Sequence, residues 1–530
     1  MAQQGAVAAG HPQTAKAAAE VLRIGGNAFD AAVAGCFAAC VAESVLTSAA
    51  GGGFLLAHTR EGENVLFDFF TQTPAQKRTE LDFYPIAANF GETVQEFHIG
   101  LGSMAVPGNV GGLLHVHQRL GRLPLSDVLA PAVHLARRGV EVNEFFAYVY
   151  ELLTPILTAT LASRSIYAPR GTLLKAGETL RMSGFADFLE NLAEVGADGF
   201  YGGAMVEDRS RRTIATQLTQ DCAERGGYLT LEDLKTYQVI ERQPLSVDYR
   251  GATLLTNPPP SSGGALIAFA LALLAGGDLA KMAHGSADHL ICLSQVMRLT
   301  NEARRNGFDA NLYDAAILDR FLSPDHIEQY LAQHRQILTN QTGLVNRLGS
   351  TTHISVVDFE GNAASVTTSN GEGSSYVIPG TDIMVNNMLG EEDLNPHGFH
   401  QWQPNQRMSS MMAPTMILRN GRPQLVLGSG GSNRIRTAIL QVVSNLMDFG
   451  MLPEVAVAAP RIHWENGIFH LEPGFDRSSI EQQTVLAESQ PVWWQAQNMF
   501  FGGVHAVGIT PDGEFHGAGD SRRSGAVAFV

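Results

Sequence analysis

The sequence predicts a mixed α/β (α+β) protein, and three observations carry that prediction. Helical spacing dominates from about Leu123 to Gln341; short strand-like segments joined by glycine turns take over after Thr351; and helices are attached to both parts. The chain has 530 residues, which allows roughly three to four domains or one large enzyme-sized unit. Apolar residues make up 45% and charged residues 17%, so a large buried interior is expected and a disordered chain is not. Lys+Arg 36 against Asp+Glu 52 leaves −16 with no basic run, which removes the electrostatic footprint of a nucleic-acid binder.

Taken in order, Ala15 to Ile24 has helical spacing and stops at Gly25-Gly26-Asn27. Asp30 to Leu46 is a second helix, so rich in Ala, Val and Cys that it must be packed on nearly every side. After Gly51-Gly52-Gly53, strands are expected at Phe54 to His58 and Asn64 to Phe69, turning at Glu61-Gly62-Glu63. Helices follow near Pro124 to Arg137, Phe185 to Val195, Met205 to Leu218, Ala265 to Leu274 and His289 to Arg304. Thr352 to Asp358 and Ala363 to Ser369 read as a hairpin around Glu360-Gly361-Asn362. A second pair, Met416 to Arg419 and Leu425 to Leu427, turns at Asn420-Gly421. Helix Arg434 to Met447 follows, and Val504 to Ile509 with Glu514 to Gly517 turn at Asp512-Gly513.

Four scattered cysteines cannot form a disulfide framework at this length, and Cys36 and Cys40, four apart on an Ala-rich helix, read as small core residues. The N-terminus has neither a basic n-region nor an apolar h-region, so a cytoplasmic location is expected, or a periplasmic or secreted one if a leader preceded residue 1. Ala265 to Ala275, the longest apolar stretch, is shorter than the roughly 20 residues a membrane span needs, and no membrane association is expected.

Several catalytic engines are missing by inspection: a GxxxxGK[ST] loop, a GxSxG elbow and an HExxH helix. His115 and His117 lie two apart on a helix and diverge, so neither a metal nor another cofactor is expected. What remains is Gly349-Ser350-Thr351-Thr352-His353, hydroxyl residues just before a strand, where the composition changes. A Thr hydroxyl is a weak nucleophile, and one way to activate it is a free N-terminal amine on the same residue, whose ordinary pKa of about 7.7 to 8.0 suits neutral pH. An internal threonine gains that amine only if the preceding peptide bond is broken. Taken alone, Ser-Thr-Thr before a strand is an ordinary β-edge segment.

Eight strings nevertheless run in one order: GGNAFDAAVA near Gly25, AGGGFLLAH near Ala50, GSMAVPGNVGG near Gly102, GGYLTLEDLKTYQVIERQPLSVDYRG from Gly226, NPPPSSGG from Asn257, STTHISVVDFEGNAASVT from Ser350, RMSSMMAPT from Arg407 and GSGGSNRI from Gly428; HGAGDSRR follows near the C-terminus. On these the chain resembles the γ-glutamyltranspeptidase (glutathione hydrolase) family of N-terminal-nucleophile hydrolases, including its acylase-like members. The resemblance implies a four-layer αββα sandwich, two antiparallel sheets between helical layers, with Thr351 at a strand terminus facing a cleft. It implies cleavage between Ser350 and Thr351 into fragments 1 to 350 and 351 to 530 that associate as one intertwined unit. Thr351 would be the nucleophile, with Ser369 beside it and Thr352 and His353 as neighbours. Backbone N–H groups of the Gly430-Gly431-Ser432 run would form the oxyanion hole, as Gly430 with Gly431 or as Gly431 with Ser432 depending on alignment. Ser409 and Ser410 would hold a substrate α-carboxylate, and Asn370 would face its α-amino group. The implied partners are a small γ-glutamyl compound or related acyl amide, with an amino acid or peptide as possible acceptor.

Three departures qualify that reading. The family's carboxylate-clamping arginine is matched here by Arg78, one residue early in Lys77-Arg78-Thr79. Met388 stands where an acidic or amide residue normally follows the asparagine pair matching Asn386-Asn387, and the nearby family aspartate is matched by Glu391. The segment from Glu391 to Ser409 is too short for the lid loop of many members, which implies an open cleft and tilts the reaction toward hydrolysis. The expected function is therefore a γ-glutamyl hydrolase/transpeptidase. The alternatives are a β-lactam (glutaryl-type) acylase with the same machinery, or an uncleaved, inactive binding protein.

Overall fold

The structure is a computed structural model that describes residues 3–89, 94–202, 213–277, 279–334, 349–395, 398–465, 467–483 and 491–530. Two antiparallel sheets lie at its centre. The first runs, edge to edge, Ala526–Phe529, Gly5–Ala9, Thr352–Asp358, Ala363–Ser369, Gly52–His58, Asn64–Phe69 and Ile240–Arg242. The second runs Phe515–Ala518, Gly503–Ile509, Arg422–Gly430, Thr415–Arg419, Ala252–Thr256 and Leu245–Tyr249. Strands from before Ser350 and after Thr351 are interleaved in the first sheet, and both parts also supply the second. The sheets therefore cannot be divided at that bond without separating paired strands.

Helices Pro12–Arg23 and Ala28–Ala42 cover the outer face of the first sheet, with Leu125–Arg138 packed on them, and share a core with Val7, Ala9, Ile354 and Val356. Helices Gly263–Ala275 and Arg434–Met447 share the other core with Ala6, Ala8 and Phe54 of the first sheet and Leu425, Leu427 and Val507 of the second. The order is helix, sheet, sheet, helix. The sheets approach closely because a Cβ on Gly428 would lie 2.3 Å from the His353 ring. Ser355 Oγ and Ser365 Oγ cross the gap to the carbonyls of His505 and Leu427, each at 3.0 Å.

Local chemistry explains most element bounds. Every residue of Ala28–Ala42 is buried, as its composition requires. Its start was the less visible end: Asn27 caps it reciprocally with Asp30, so the Gly25-Gly26-Asn27 stop of one helix also begins the next, and the helix ends at Ala42. The expected helix from Met205 begins outside the described residues; within them the helix is Ile214–Arg225, capped by Thr213 and ended by left-handed Gly226. Arg434–Met447 has the bounds its periodicity predicts. His115 and His117 turn to separate partners, Glu241 and the Leu123 carbonyl. No described helix is long and apolar enough to cross a membrane.

Candidate active site

Pairing on both edges holds strand Thr352–Asp358 in place, with Thr352 opposite Thr368. That register brings Thr351, the residue just before the strand, next to Ser369. Thr351 Oγ1 donates to Ser369 Oγ at 3.4 Å, and Ser369 Oγ donates to the Ser350 carbonyl oxygen at 2.6 Å while accepting from Gly371 N at 3.1 Å. Arg523 grips the same segment from behind, reaching the carbonyls of Thr351 at 3.3 Å and Gly349 at 3.1 Å. Under the strand, Thr352 and Thr14 donate hydroxyl protons to the fully buried Glu43. Burial pushes the Glu43 carboxyl up to about 7, against the pull of those hydroxyls and of Arg523. His353 points into the space between the sheets, bonded to Thr367 and Ser355, and burial keeps it neutral.

The glycine run meets Thr351 from the other sheet. Gly430 ends strand Arg422–Gly430, and a Cβ there would lie 2.0 Å from the Thr351 carbonyl oxygen. Gly431 has φ +126°, a backbone conformation L side chains rarely adopt. Helix Arg434–Met447 begins directly beyond, so the loop leads into a helix N-terminus, where backbone N–H groups favour anions. Ser432 is tied across the cleft by its Oγ, which donates to Asp393 Oδ2 at 2.7 Å.

The cleft, counted with its open mouth, spans about 710 Å³, and its walls bring together Ser350, Thr351, Ser369, Glu391, Ser409 and Ser410. Ser410 is pinned by the NPPPSSGG loop, whose Ser261 and Ser262 hydroxyls donate to its carbonyl at 3.0 and 3.1 Å. Asn370 follows Ser369 and is buried, its Nδ2 donating to the Met384 carbonyl at 3.3 Å. Asn387 Oδ1 shapes the adjoining turn by accepting from Glu372 N at 2.9 Å and Gly373 N at 3.1 Å. Met388 lies on the cleft wall as a thioether.

Arg78 is elsewhere. Its Nη1 donates to the carbonyls of Cys222, Ala223 and Gly227 at 2.9, 3.3 and 3.1 Å, around the C-terminus of helix Ile214–Arg225. It lines a different cavity, with Thr216 and Thr219. Unpaired helix-end carbonyls attract a guanidinium, and this arginine is already committed to them. The arginine on the cleft wall is Arg304, which holds Asp309 at 2.9 Å and Asn433 at 3.3 Å. Sequence reasoning did not find Arg304, because NEARRNG carries no local sign of facing a cleft formed with residues beyond Thr351. Glu372 was also missed: Ser350 N donates to its Oε1 at 3.3 Å, and its only sequence signal is a place two residues after Asn370.

The sequence pattern of the gamma-glutamyltranspeptidase family matches residues 14–530. The chain is 32% identical to the glutathione hydrolase proenzyme of Escherichia coli (strain K12), over 98% of this chain and 91% of that one. It is 30% identical to the acylase ACY 1 proenzyme of Pseudomonas sp. (strain SE83), over 99% and 94%. Among solved structures, cephalosporin acylase from Bacillus halodurans superposes with a TM-score of 0.84 at 26% identity, over 99% of this chain and 96% of that one. The Helicobacter pylori gamma-glutamyltranspeptidase gives 0.54 at 25% identity, over 64% and 96%. The chain belongs to the gamma-glutamyltranspeptidase family, and with its four-layer fold it is a hydrolase/transferase of the N-terminal-nucleophile type.

Proposed function

We propose that the chain cuts itself between Ser350 and Thr351, and that Thr351 then hydrolyses the amide of γ-glutamyl compounds through an acyl-enzyme. One observation carries this reading: the Thr351 hydroxyl, the Ser369 hydroxyl and the Ser350 carbonyl form a continuous hydrogen-bonded chain on the bond to be cut. Thr351 Oγ attacks the Ser350 carbonyl carbon and passes its proton to the Ser369 hydroxyl. The Ser369 proton goes to the carbonyl oxygen, whose developing charge it neutralises. Collapse expels the Thr351 nitrogen, which takes a proton to become the free amine, and leaves an ester. Water then releases the Ser350 carboxylate and restores the Thr351 hydroxyl. In turnover the new amine accepts the Oγ proton, directly or through a water, and Gly430-Gly431-Ser432 faces the substrate oxyanion.

The resulting fragments, 1 to 350 and 351 to 530, stay associated through their shared sheets. Water is the main acceptor because the segment from Glu391 to Ser409 is too short to roof the cleft; an amino acid or peptide amine is the other. A second reading, acylase action on a glutaryl-type β-lactam side chain, draws support from the placement of Arg78 away from the cleft and from the likeness to the Bacillus halodurans acylase. Denaturing electrophoresis with N-terminal sequencing tests the proposal. Two bands are expected, the smaller beginning at Thr351, and Thr351→Ala should remain whole and inactive; a single full-length, inert wild-type band after long incubation would refute it.

A further inference from the structure

Beyond Gly431 the chain turns left-handed at Ser432, a residue with a side chain and φ +49°. Side chains disfavour that region, and where a non-glycine residue keeps it the surroundings must hold it there. The holding contact is Asp393, whose Oδ2 accepts from Ser432 Oγ at 2.7 Å and from Asn433 Nδ2 at 3.5 Å. Arg304 takes the other end of the same amide, its Nη1 donating to Asn433 Oδ1 at 3.3 Å while its Nε holds Asp309. Asn433 is the N-cap of helix Arg434–Met447 but makes no side-chain cap bond, so its amide serves this link instead.

This turn presents a pair of donors. The carbonyls of Gly431 and Ser432 accept from Arg434 N at 3.0 Å and Ile435 N at 3.1 Å, so both point into the helix. In a trans peptide the N–H opposes the carbonyl, and the Ser432 N–H therefore points away from the helix. Among the described residues neither the Gly431 N–H nor the Ser432 N–H has an acceptor. A Cβ on Gly349 would lie 3.0 Å from Ser432 N, which puts that nitrogen beside the chain leading to the Ser350 carbonyl. A carboxylate on the same wall works against an oxyanion, so Asp393 serves through its bond and not its charge. We propose that Asp393 is a positioning residue: by holding the Ser432 hydroxyl it keeps the loop in the conformation that aims the Gly431 and Ser432 N–H groups at the substrate oxyanion. This latch rests on the reading of Thr351 as nucleophile given above.

Kinetics with a γ-glutamyl anilide on the matured protein test the latch. Asp393→Ala should lower kcat by roughly ten- to a hundredfold, the effect of misaiming an oxyanion donor, with KM within about twofold. Asp393→Asn should keep most of kcat, because its amide oxygen still accepts from the Ser432 hydroxyl. Ser432→Ala removes the same bond from the other side and should match Asp393→Ala, and the two together should cost no more than either alone. In a Ser432→Gly background, where φ +49° needs no latch, Asp393→Ala should cost less than about twofold. A loss carried by KM, an equal loss in the Ser432→Gly background, or an Asp393→Asn protein as damaged as Asp393→Ala overturns the latch while leaving Thr351 as nucleophile. A wild-type protein that is neither cut nor active overturns the Thr351 reading instead. Should Asp393→Ala fail to mature, Ser432→Ala decides alone, and an unchanged kcat there overturns the latch.

Discussion

Ser369 Oγ lies 2.6 Å from the carbonyl oxygen of Ser350, the shorter of the two contacts that link the Thr351 hydroxyl to that carbonyl. Strand pairing sets this relationship: Ala363–Ser369 is fixed by neighbours on both edges, with Ser369 itself opposite Gly52. Removing one donor to a developing oxyanion typically costs about 2.7 to 4 kcal/mol, or roughly a hundredfold to a thousandfold in rate. Ser369→Ala is expected to slow the appearance of two bands by that factor on a gel time course. Cleavage at the wild-type rate would remove Ser369 from the relay.

Gly430 and Gly361 predict opposite outcomes for the same substitution. A methyl group at Gly430 would lie 2.0 Å from the Thr351 carbonyl oxygen, so Gly430→Ala should displace the loop and abolish turnover. Gly361 has φ +94° with nothing within 4 Å of its added methyl, so Gly361→Ala should cost only about 1–2 kcal/mol of stability and leave activity intact. Thermal melts and anilide assays on the pair check this.

Glu43 supplies a pH prediction. Its folded carboxyl titrates near 7 against an ordinary 4.5, so the folded state holds the proton more tightly than the unfolded chain. The associated stability is complete below about pH 4.5 and is lost as pH rises through 7, by an order of 3 kcal/mol. Glu43→Gln cannot titrate. The difference in unfolding free energy between wild type and variant should therefore change in the variant's favour between pH 5 and 8, and a flat difference would contradict it.

Arg78→Ala should lower Tm by a few degrees at most, because the bonds it loses are to carbonyls at a partly exposed helix end. KM for a γ-glutamyl anilide should stay within about twofold, since a bidentate clamp worth tens-fold would have to reach the cleft. A large rise in KM would return Arg78 to the site.

The two fragments should elute together from a sizing column without denaturant. Gly5–Ala9 sits between Thr352–Asp358 and Ala526–Phe529, so separating the fragments breaks the sheet on both sides of one strand. Separate native peaks would refute the intertwined arrangement.

Much of this is legible in the sequence. The hairpin of Thr352–Asp358 with Ala363–Ser369, the helix Arg434–Met447 and the all-buried Ala28–Ala42 follow from period, turn residues and composition, which act over a few residues. The order of the motif strings carried the fold and pointed to Thr351, Ser369, Ser409, Ser410 and Glu391, which the tertiary structure brings to one cleft.

Long side chains were the part that local pattern could not place. Arg78 falls one residue from a family position, yet its stem delivers the guanidinium to carbonyls of a helix about 145 residues away in sequence. Arg304 reaches the cleft from a segment with no signature, and Glu372 gains its place from a turn held by Asn387 and from burial beneath Ser350. By itself the sequence indicated several of the elements and, through resemblance, the layer order and the Ser350–Thr351 bond proposed as the reaction centre. Only the tertiary structure decided which charges lie near that bond, because a charge's partner is set by distances of a few ångströms between segments that the chain keeps from 22 to 144 residues apart.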